Sequence, residues 1–138
     1  MHSDKEIAAF LNKHNGFSEG IIEELSLTDY GTTFEIRMTH DWAKPDGEKT
    51  WPAPKFVILR FRLMQELHIT NALTPPMLRS PESINWGLNE VAIVKLLANE
   101  APFSLGRNYP GFHRLAFLWE GERRIDVVFS ELEVVLPE

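Results

Sequence analysis

The hydrophobic period of this chain changes near Gly20, and that change constrains the fold more than any other feature. Before Gly20, apolar residues recur every three or four positions. After it they alternate with polar residues in segments such as TTFEIRM and KFVILRFRLM. The first pattern is typical of an amphipathic helix and the second of a strand with one buried face. The sequence therefore predicts one N-terminal helix followed by a chain that is mostly β.

The residues before Gly20 contain signals that begin and end a helix. Ser3 and Glu6 have the spacing of a capping box, in which the serine hydroxyl accepts a hydrogen bond from the backbone amide three residues on. An apolar stripe at helical spacing follows, formed by Ile7, Phe10, Leu11 and His14. Gly16 stands where a helix commonly ends in a left-handed residue. We expect this stripe to lie on a sheet, and His14 to interact with exposed carbonyl groups rather than with a metal.

The alternating segments predict strands joined mostly by short turns. TDYG separates the first two strands, and EGER separates two strands near the C-terminus. The parity of each segment assigns one set of side chains to the core. These inward residues are Phe34, Ile36, Met38, Val57, Leu59, Phe61, Leu63, Leu67, Ile69, Leu115, Phe117, Trp119, Ile125, Val127, Phe129, Leu132 and Val134.

Two stretches between these strands are harder to interpret. The segment NALTPPMLRSPESINWG is rich in proline and small polar residues, so we expect regular structure to lapse there. Residues 88–98 fit a short buried helix as well as a strand, because so brief an apolar run does not define a period. We favour the strand.

The fold class that follows is α+β, mostly β. We expect an N-terminal helix packed on an antiparallel meander sheet of about six or seven strands. No internal repeat, low-complexity tract or shift in composition divides the chain, so residues 1–138 are predicted to form a single domain. A chain of this length can bury enough surface to fold without a disulfide or a structural metal.

Composition and charge exclude several classes of function. The chain has no cysteine, which rules out disulfides, thiolate metal sites and a cysteine nucleophile. Its net charge of -6 is spread evenly, so it lacks the basic stripe that nucleic-acid binding needs. No apolar run approaches the roughly 20 residues of a membrane-spanning helix, and the N-terminal segment does not resemble a signal peptide. We therefore predict a soluble, cytoplasmic protein that binds neither nucleic acid nor membrane.

Catalytic and metal-binding motifs are also missing. The sequence has no nucleophile elbow, phosphate-binding glycine loop, dinucleotide fingerprint or zinc-protease helix. One weak alternative is a metal site formed by His40 and Asp41 with His68 and His113. The parity of the strands places His68 on the outer face and His113 on the inner face, so the two should not converge. Asp46 fits a Pro-Asp-Gly turn. We predict no catalytic residue, no metal and no cofactor.

The segment THDWAKPDGEKTWPAP is the most unusual part of the chain, because it combines tryptophans with turn residues. Its tryptophans either cover an open end of the sheet or are exposed anchors for a partner, since tryptophan is enriched at binding hot spots. The candidate binding residues are His40, Asp41, Trp42, Trp51 and, in the other long irregular segment, Trp86. Trp119 is inward by parity, and we expect it in the core.

A resemblance supports a binding role. The order GFSEGIIEELSLTDYGTTFEIRM, VILRFRLMQELHIT and RLAFLWEGERRIDVVFSELEVV resembles small, poorly characterised bacterial proteins, among them some immunity proteins of polymorphic toxin systems. Those proteins look like a short leader with a His-Asp pair before the first strand, where this chain has Ser18 and Glu19. No functional residue is therefore carried over. The resemblance implies the fold and a protein-binding role.

Three classes of function remain open. The first is a non-enzymatic module that binds another protein, with the immunity-type inhibitor of a toxin as one case. The second is a small-ligand-binding protein or an undiscovered enzyme, which would need a pocket with converging polar groups. The third is a homo-oligomeric structural subunit, in its simplest form a homodimer. We favour the first class, because catalytic motifs are missing and the unusual residues lie in loops.

Overall fold

A computed structural model of the chain describes residues 1–18, 20–40, 55–81, 91–97, 111–119 and 123–136. Within these ranges the chain forms two α-helices, two short 3-10 helices and eight strands. The α-helices are α1 (Asp4–Lys13) and α2 (Pro75–Arg79), and the strands are β1 (Ile21–Thr28), β2 (Thr33–His40), β3 (Lys55–Arg62), β4 (Glu66–Asn71), β5 (Val91–Leu97), β6 (His113–Trp119), β7 (Arg123–Phe129) and β8 (Glu131–Val135). None of these helices has the length and apolar character that crossing a membrane requires.

Helix α1 begins and ends as the sequence predicts. The hydroxyl of Ser3 accepts a hydrogen bond of 3.1 Å from the backbone amide of Glu6, and it donates one of 3.1 Å to the carboxylate of the same residue. After the helix the chain passes through Gly16, whose φ is 62°. A Cβ on this glycine would lie 2.8 Å from Cγ1 of Ile93. The position thus needs glycine for its backbone conformation and for the close approach of β5.

His14 follows the last turn of α1, and its ring contacts two aromatic side chains. The ring centroid lies 4.8 Å from that of Phe10 and 5.3 Å from that of Phe17, and the ring stacks on the latter. Burial and, to a smaller degree, the charge of Lys13 lower the pKa of His14. Since we expected this histidine to interact with carbonyl groups, its aromatic packing is a feature that the sequence did not predict.

The strands form two antiparallel sheets of four strands each. The first sheet has the order β1-β2-β3-β8 and the second the order β4-β7-β6-β5. Strand β3 leads into β4, and β7 into β8. At this corner the amide of Gln65 donates to the carbonyl of Val128, and the amide of Ser130 donates to the carbonyl of Arg62. The β3–β4 and β7–β8 segments therefore run side by side, and both bend at this corner from one sheet into the other.

The predicted fold class, α+β and mostly β with an N-terminal helix, is confirmed, but its arrangement differs. We expected one meander of about six or seven strands, whereas the eight strands of the described residues divide between two sheets. The bend at the corner is the physical cause. It places β3 and β8 in the first sheet and the strands that continue them, β4 and β7, in the second. Residues 91–97 form a strand paired with β6, as we favoured.

The inner faces of the two sheets pack against each other to form the core. The ring of Phe61 in β3 contacts Phe117 and Phe129 of the second sheet, with centroid distances of 5.9 Å and 4.8 Å. The predicted inward residues that are at most 1% exposed are Phe34, Ile36, Met38, Val57, Leu59, Phe61, Leu115, Phe117, Ile125, Val127, Phe129 and Leu132. Trp119 is 7% exposed and belongs to the same cluster. Alternation therefore identified most of the core correctly.

Two predictions about local structure were wrong. Leu63 is 62% exposed and has a φ of 51°, because β3 ends at Arg62 and the chain turns at this residue instead of continuing the strand. Residues 75–79 form the short helix α2, where we expected no regular structure. Thr74 caps this helix, and a proline at its first position has the fixed φ that a helix start favours.

Helix α1 covers one open side of the two-layer structure. The backbone of Met1 forms two hydrogen bonds with Leu132 of β8, of 2.7 Å and 3.0 Å. The two ring nitrogens of His113 lie 2.5 Å from the Asp4 carboxylate and 2.8 Å from the carbonyl of His2. Helix α1 and the turn that follows it also contact β5. The helix therefore lies between β8 and β5, one edge strand of each sheet.

Candidate functional site

Most of the binding residues proposed from the sequence lie outside the described residues. Asp41, Trp42, Trp51 and Trp86 belong to this group. His40 is the last residue of β2, and its side chain also lies outside the described part of the structure. A binding role for this loop therefore stays a prediction, and the described residues have to be considered in their own right.

The histidines of the metal alternative lie on opposite faces of the second sheet, as their parity predicts. His113 points inward, and its side chain is 7% exposed. His68 is on the outer face, with its side chain half-exposed and Nε2 2.5 Å from Oε1 of Glu66. Among the described residues no three histidine, aspartate or glutamate side chains are placed to hold a metal ion.

The other two sheet edges form the most distinctive surface of the described structure. β1 is the edge of the first sheet opposite β8, and β4 is the edge of the second sheet opposite β5. They flank a cavity of about 270 Å³, which we call the β1–β4 cleft. It is lined by Ile22, Glu23, Glu24, Leu25, Ile69, Asn71, Trp119 and Arg123.

Inward-facing apolar side chains remain exposed at this cleft and beside it: Ile69 lines the cleft, and Leu27 lies two residues beyond the lining residue Leu25 on β1. Leu27 of β1 is paired with Phe34, and Ile69 of β4 is paired with Ile125, so each shares the inner face with its partner. The partners are 1% and 0% exposed, whereas Leu27 is 57% and Ile69 is 47% exposed. The inner face is therefore covered at Phe34 and Ile125 and partly open at Leu27 and Ile69.

The rim of the cleft along β1 is acidic. The pairing of β1 with β2 shifts between Ile22 and Glu24, so Glu23 is an extra residue in the strand. This β-bulge places two consecutive glutamates at the cleft, and both are exposed. Glu23 accepts a hydrogen bond of 3.1 Å from the hydroxyl of Thr39. The edge of β1 thus combines apolar side chains with two negative charges.

A buried arginine lies at one end of the cleft. Arg123 is the first residue of β7, where it pairs with Asn71 of β4, and it is 6% exposed. Its Nε donates a hydrogen bond of 2.6 Å to Oδ1 of Asn71, and its guanidinium carbon lies 4.3 Å from the ring centroid of Trp119. Burial lowers the pKa of Arg123, but a guanidinium remains protonated in proteins. The cleft therefore has a fixed positive charge at this end.

Trp119 forms part of both the core and the cleft. It is 7% exposed, as its parity predicted, and it lines the cavity beside Arg123. Its indole nitrogen is buried and has no hydrogen-bond partner. The sequence did not identify Arg123 as a site residue, although the pattern RRIDVVF contained a signal. Arg123 shares the parity of the inward Ile125, and an inward arginine is unusual.

The outer face of the first sheet provides a contrast, because its charges pair with one another. Arg60 donates to Glu35 over 2.6 Å and to Glu133 over 3.2 Å. The hydrogen bond to Glu35 is the main cause that raises the pKa of Arg60. Arg62 contacts the other oxygen of Glu133 at 2.9 Å. This face is a solvated charge network and not a candidate site.

Comparison with known proteins shows the fold and nothing more specific. No protein-family model and no curated protein matches the sequence. A crystal structure of an uncharacterized protein from Neisseria gonorrhoeae is similar, with a TM-score of 0.52 at 11% sequence identity. The match covers 86% of this chain and 91% of that chain. At this identity the likeness extends to the fold alone, so the resemblance to immunity proteins stays a prediction.

Proposed function

We propose that this protein is a non-enzymatic module that binds another protein by taking an extended segment of it into the β1–β4 cleft. The observation that supports this proposal is the exposure of Ile69, an inward-facing side chain of β4 that lines the cleft, together with that of Leu27, two residues beyond the lining residue Leu25 on β1. A segment lying between the edges would cover them. Monomeric proteins seldom leave inward-facing apolar side chains uncovered on two adjacent edges, and such surfaces commonly mark interaction sites.

Strand addition is the binding mode that this geometry favours. Within the described ranges β1 and β4 each pair with one strand, β2 and β7 respectively. The outer edge of a strand presents a row of backbone N–H and C=O groups, and an extended peptide can pair with it. Every second side chain of that peptide would then point into the cleft. Backbone pairing supplies affinity, and the apolar walls select the inward side chains.

An immunity-type inhibitor is one case of this function. We propose that such a protein would hold a segment of a toxin in the cleft and so occlude it, in the bacterial cytoplasm. The predicted cytoplasmic location and the resemblance to immunity proteins support this narrower version. A strand-adding inhibitor needs no catalytic group, in agreement with the absence of catalytic motifs from the sequence.

The small-ligand alternative has less support. Pockets for drug-sized ligands typically enclose about 300–1,000 Å³. The β1–β4 cleft encloses about 270 Å³ and is partly open, with residues of β1 and β4 beside Trp119 and Arg123. A small, partly open cavity beside two sheet edges fits a chain segment better than a compact molecule. Self-association through the same edges is the homodimer alternative, and the measurement of mass described below tests it.

The test is a selection from a library of displayed random peptides with two matched variants. Ile69→Glu places a charge on the cleft wall, and Thr70→Glu places the same charge on the opposite, exposed face of β4. We expect the wild type to enrich peptides with alternating apolar residues. The Thr70→Glu variant should bind them equally, and Ile69→Glu at least tenfold more weakly, in isothermal titration calorimetry, by roughly the loss of one buried apolar anchor.

Two results would overturn the proposal. One is a selection that enriches no peptide above an unrelated immobilised protein. The other is equal binding by the Ile69→Glu and Thr70→Glu variants when circular dichroism shows that both are folded. Light scattering on the same samples gives the mass in solution. If the protein is a dimer and the Ile69→Glu substitution dissociates it, the segment bound in the cleft belongs to a second copy of this chain and not to another protein.

A further inference from the structure

We propose that the partner's segment pairs with β1 and runs along it to the turn at Asp29–Gly31, with a basic end beside Glu23 and Glu24 and an aromatic or large apolar end beside Tyr30. This inference rests on the proposed function and specifies the chemistry of the partner. It is carried by a change in character along β1, which has its charges near its start and exposed apolar side chains at its end.

The turn that joins β1 to β2 presents a tyrosine in a strained conformation. Asp29, Tyr30 and Gly31 have positive φ values of 51°, 60° and 85°. Hairpin turns with positive φ favour glycine, asparagine and aspartate, because other side chains are strained there. Asp29 and Gly31 follow this preference, but Tyr30 does not. Tyr30 is fully exposed, so its ring contributes no packing that would offset the strain, and contact with another molecule is the role left for it.

Hydrogen bonds hold the turn in this conformation. The hydroxyl of Thr33 donates to the carboxylate of Asp29 over 3.2 Å. The hydroxyl and the amide of Thr32 both donate to the carbonyl of Asp29, over 2.7 Å and 3.1 Å. Tyr30 is therefore presented from a rigid turn, which lowers the entropic cost of using its ring as an anchor. Tyrosine is also one of the residues enriched at binding hot spots.

Two further apolar side chains lie next to this turn. Leu27 precedes it by two residues and is 57% exposed. The amide of Met64 donates to the carbonyl of Thr32, which brings Leu63 to the same end of the first sheet. Leu63 is 62% exposed. We call Leu27, Tyr30 and Leu63 the apolar tip. It lies at the end of β1 beyond the cleft, where the last side chains of a segment paired with β1 would pack on it.

Charge specifies the other end of the segment. β1 contains Glu23 and Glu24 and no lysine, arginine or histidine. Arg37 lies opposite Glu24 in the register, but its guanidinium carbon is 4.3 Å from the ring centroid of Phe56. None of the ion pairs among the described residues involves either glutamate. Opposite charges on adjacent strands stabilise pairing, so lysine or arginine is favoured beside these glutamates.

The same charges select a foreign, basic segment over other occupants. A second copy of this chain has the same glutamates and a net charge of -6, so like charges would meet. Charges and bulges on a strand edge also discourage pairing with an ordinary neutral strand. A segment with basic residues at one end offsets that effect, because its own charges complement those of β1.

The experiment uses three synthetic peptides that are acetylated at the N-terminus and amidated at the C-terminus. The first is Phe-Thr-Val-Thr-Val-Lys-Val-Lys, which places phenylalanine at the apolar tip and lysines beside Glu23 and Glu24 when it pairs antiparallel with β1. The second has the same sequence in reverse, and the third replaces both lysines of the first by glutamine. The strand pairs of the described sheets are antiparallel. We therefore expect the first peptide to bind at least tenfold more tightly than either of the others in isothermal titration calorimetry.

Two variants test the two ends of the segment. Tyr30→Asn removes the ring and relieves the strain, so it should unfold at the temperature of the wild type or higher and still bind the first peptide at least fivefold more weakly. Glu24→Gln should reduce the advantage of the first peptide over the third. Glu6→Gln makes the same change of charge on α1 and keeps its capping box, so it should leave that advantage unchanged. Equal binding by Tyr30→Asn and the wild type would show that the apolar tip is not part of the site.

The outcomes separate this inference from the proposed function. The first two peptides have the same composition and charge, so equal binding by them would reduce the effect to general attraction and overturn the inference. Strand binding would remain if Ile69→Glu weakened the binding of all three peptides. Tighter binding of the second peptide would support the same two ends with a parallel segment. If no peptide binds at millimolar concentration while the displayed library yields binders, this inference alone is wrong, and if the library yields none either, both are wrong.

Discussion

Among the residues that the structure describes, the two sheets leave two sides without a neighbouring strand, and helix α1 covers one of these sides but not the other. On the side between β8 and β5, α1 places its apolar stripe against the core, and Ile7 and Leu11 are 0% and 6% exposed. On the side between β1 and β4, Leu27 and Ile69 face the same core and are 57% and 47% exposed. The helix-covered side thus completes the core, whereas the cleft side leaves apolar surface in contact with water.

Under the proposed function, this difference separates a surface that stabilises the fold from a surface that binds a partner. Apolar area contributes about 25 cal/mol per Å² when it is removed from water, so the covered side stabilises the folded state directly. The open side lacks that contribution to folding, and under the proposed function the same apolar area is buried when a partner binds. Open strand edges also risk unwanted pairing between chains, and charged residues and bulges on an edge reduce that risk. Glu23 and Glu24, at the bulge of β1, provide both protections.

The largest expected effect comes from the same substitution made on each side. Ile7→Ala should lower the free energy of unfolding by about 3 kcal/mol, because it leaves a cavity in a fully buried position. Ile69→Ala should lower it by no more than about 1 kcal/mol, because half of that side chain is already in water. Urea denaturation of both variants measures the difference. Equal losses would show that the cleft side supports the fold as strongly as the helix side.

The sequence predicts the covered side far better than the open one, for a physical reason. Capping at Ser3, the stripe of α1 and the alternation of each strand are local signals, and each of them is present in the structure. Local signals do not determine which strands lie at the edges of the sheets. That depends on pairing between distant segments, such as β3 with β8 and β4 with β7. A single meander was therefore expected where two sheets form.

The candidate site illustrates the same limit in individual residues. The parity of Ile69 correctly predicts that it faces inward, but parity does not show that the opposite sheet fails to cover it. Arg123 has inward parity too, and the sequence offers no hint that Asn71 and Trp119 would hold its guanidinium. The tryptophans that drew attention in the sequence, Trp42 and Trp51, lie outside the described residues. Composition therefore indicated the loop of Trp42 and Trp51 as the candidate site, whereas the strand pairing in the structure indicates the β1–β4 cleft.

A smaller effect is expected where the end of α1 meets β5. Gly16 and Gly31 both have positive φ, 62° and 85°, so alanine is strained at either position. At Gly31 an added Cβ meets nothing within 4 Å, whereas at Gly16 it would lie 2.8 Å from Ile93. We expect Gly31→Ala to cost about 1 kcal/mol and Gly16→Ala about 2 kcal/mol or more. Thermal unfolding measures both, and a Gly16→Ala variant no weaker than Gly31→Ala would contradict the close packing.

The next effect concerns the contact that fixes the start of α1 to β6. His113→Gln removes an imidazole that reaches both Asp4 and the carbonyl of His2, and we expect a loss of about 1.5 kcal/mol. His2→Gln is the matched control, because the side chain of His2 is 72% exposed and its backbone carbonyl is kept, and it should cost less than about 1 kcal/mol. Hydrogen exchange should show faster opening of α1 in the first variant alone. Unchanged exchange in α1 would mean that the helix is held mainly by its apolar stripe.

The smallest effect is a dependence on pH that belongs to the helix-covered side. Burial, with a smaller part from Lys13, lowers the pKa of His14 below its ordinary value of 6.5. The unfolded chain therefore binds a proton at this residue more readily than the folded chain. As pH falls through 6.5 toward the lowered value, His14 destabilises the fold, and above 6.5 this contribution is absent.

A phenylalanine at this position isolates the contribution. His14→Phe keeps an aromatic ring on Phe17 and removes the titrating group. The stability of the variant relative to the wild type should therefore rise between pH 7 and pH 5, as measured by urea denaturation at both values. The substitution Lys13→Gln in the wild type should weaken the trend slightly, since Lys13 is the second cause of the shift. The opposite result is that the wild type becomes more stable relative to the variant at pH 5. It would mean that the charged ring of His14 stabilises the fold and that the end of α1 is held by an ion pair instead of by aromatic packing.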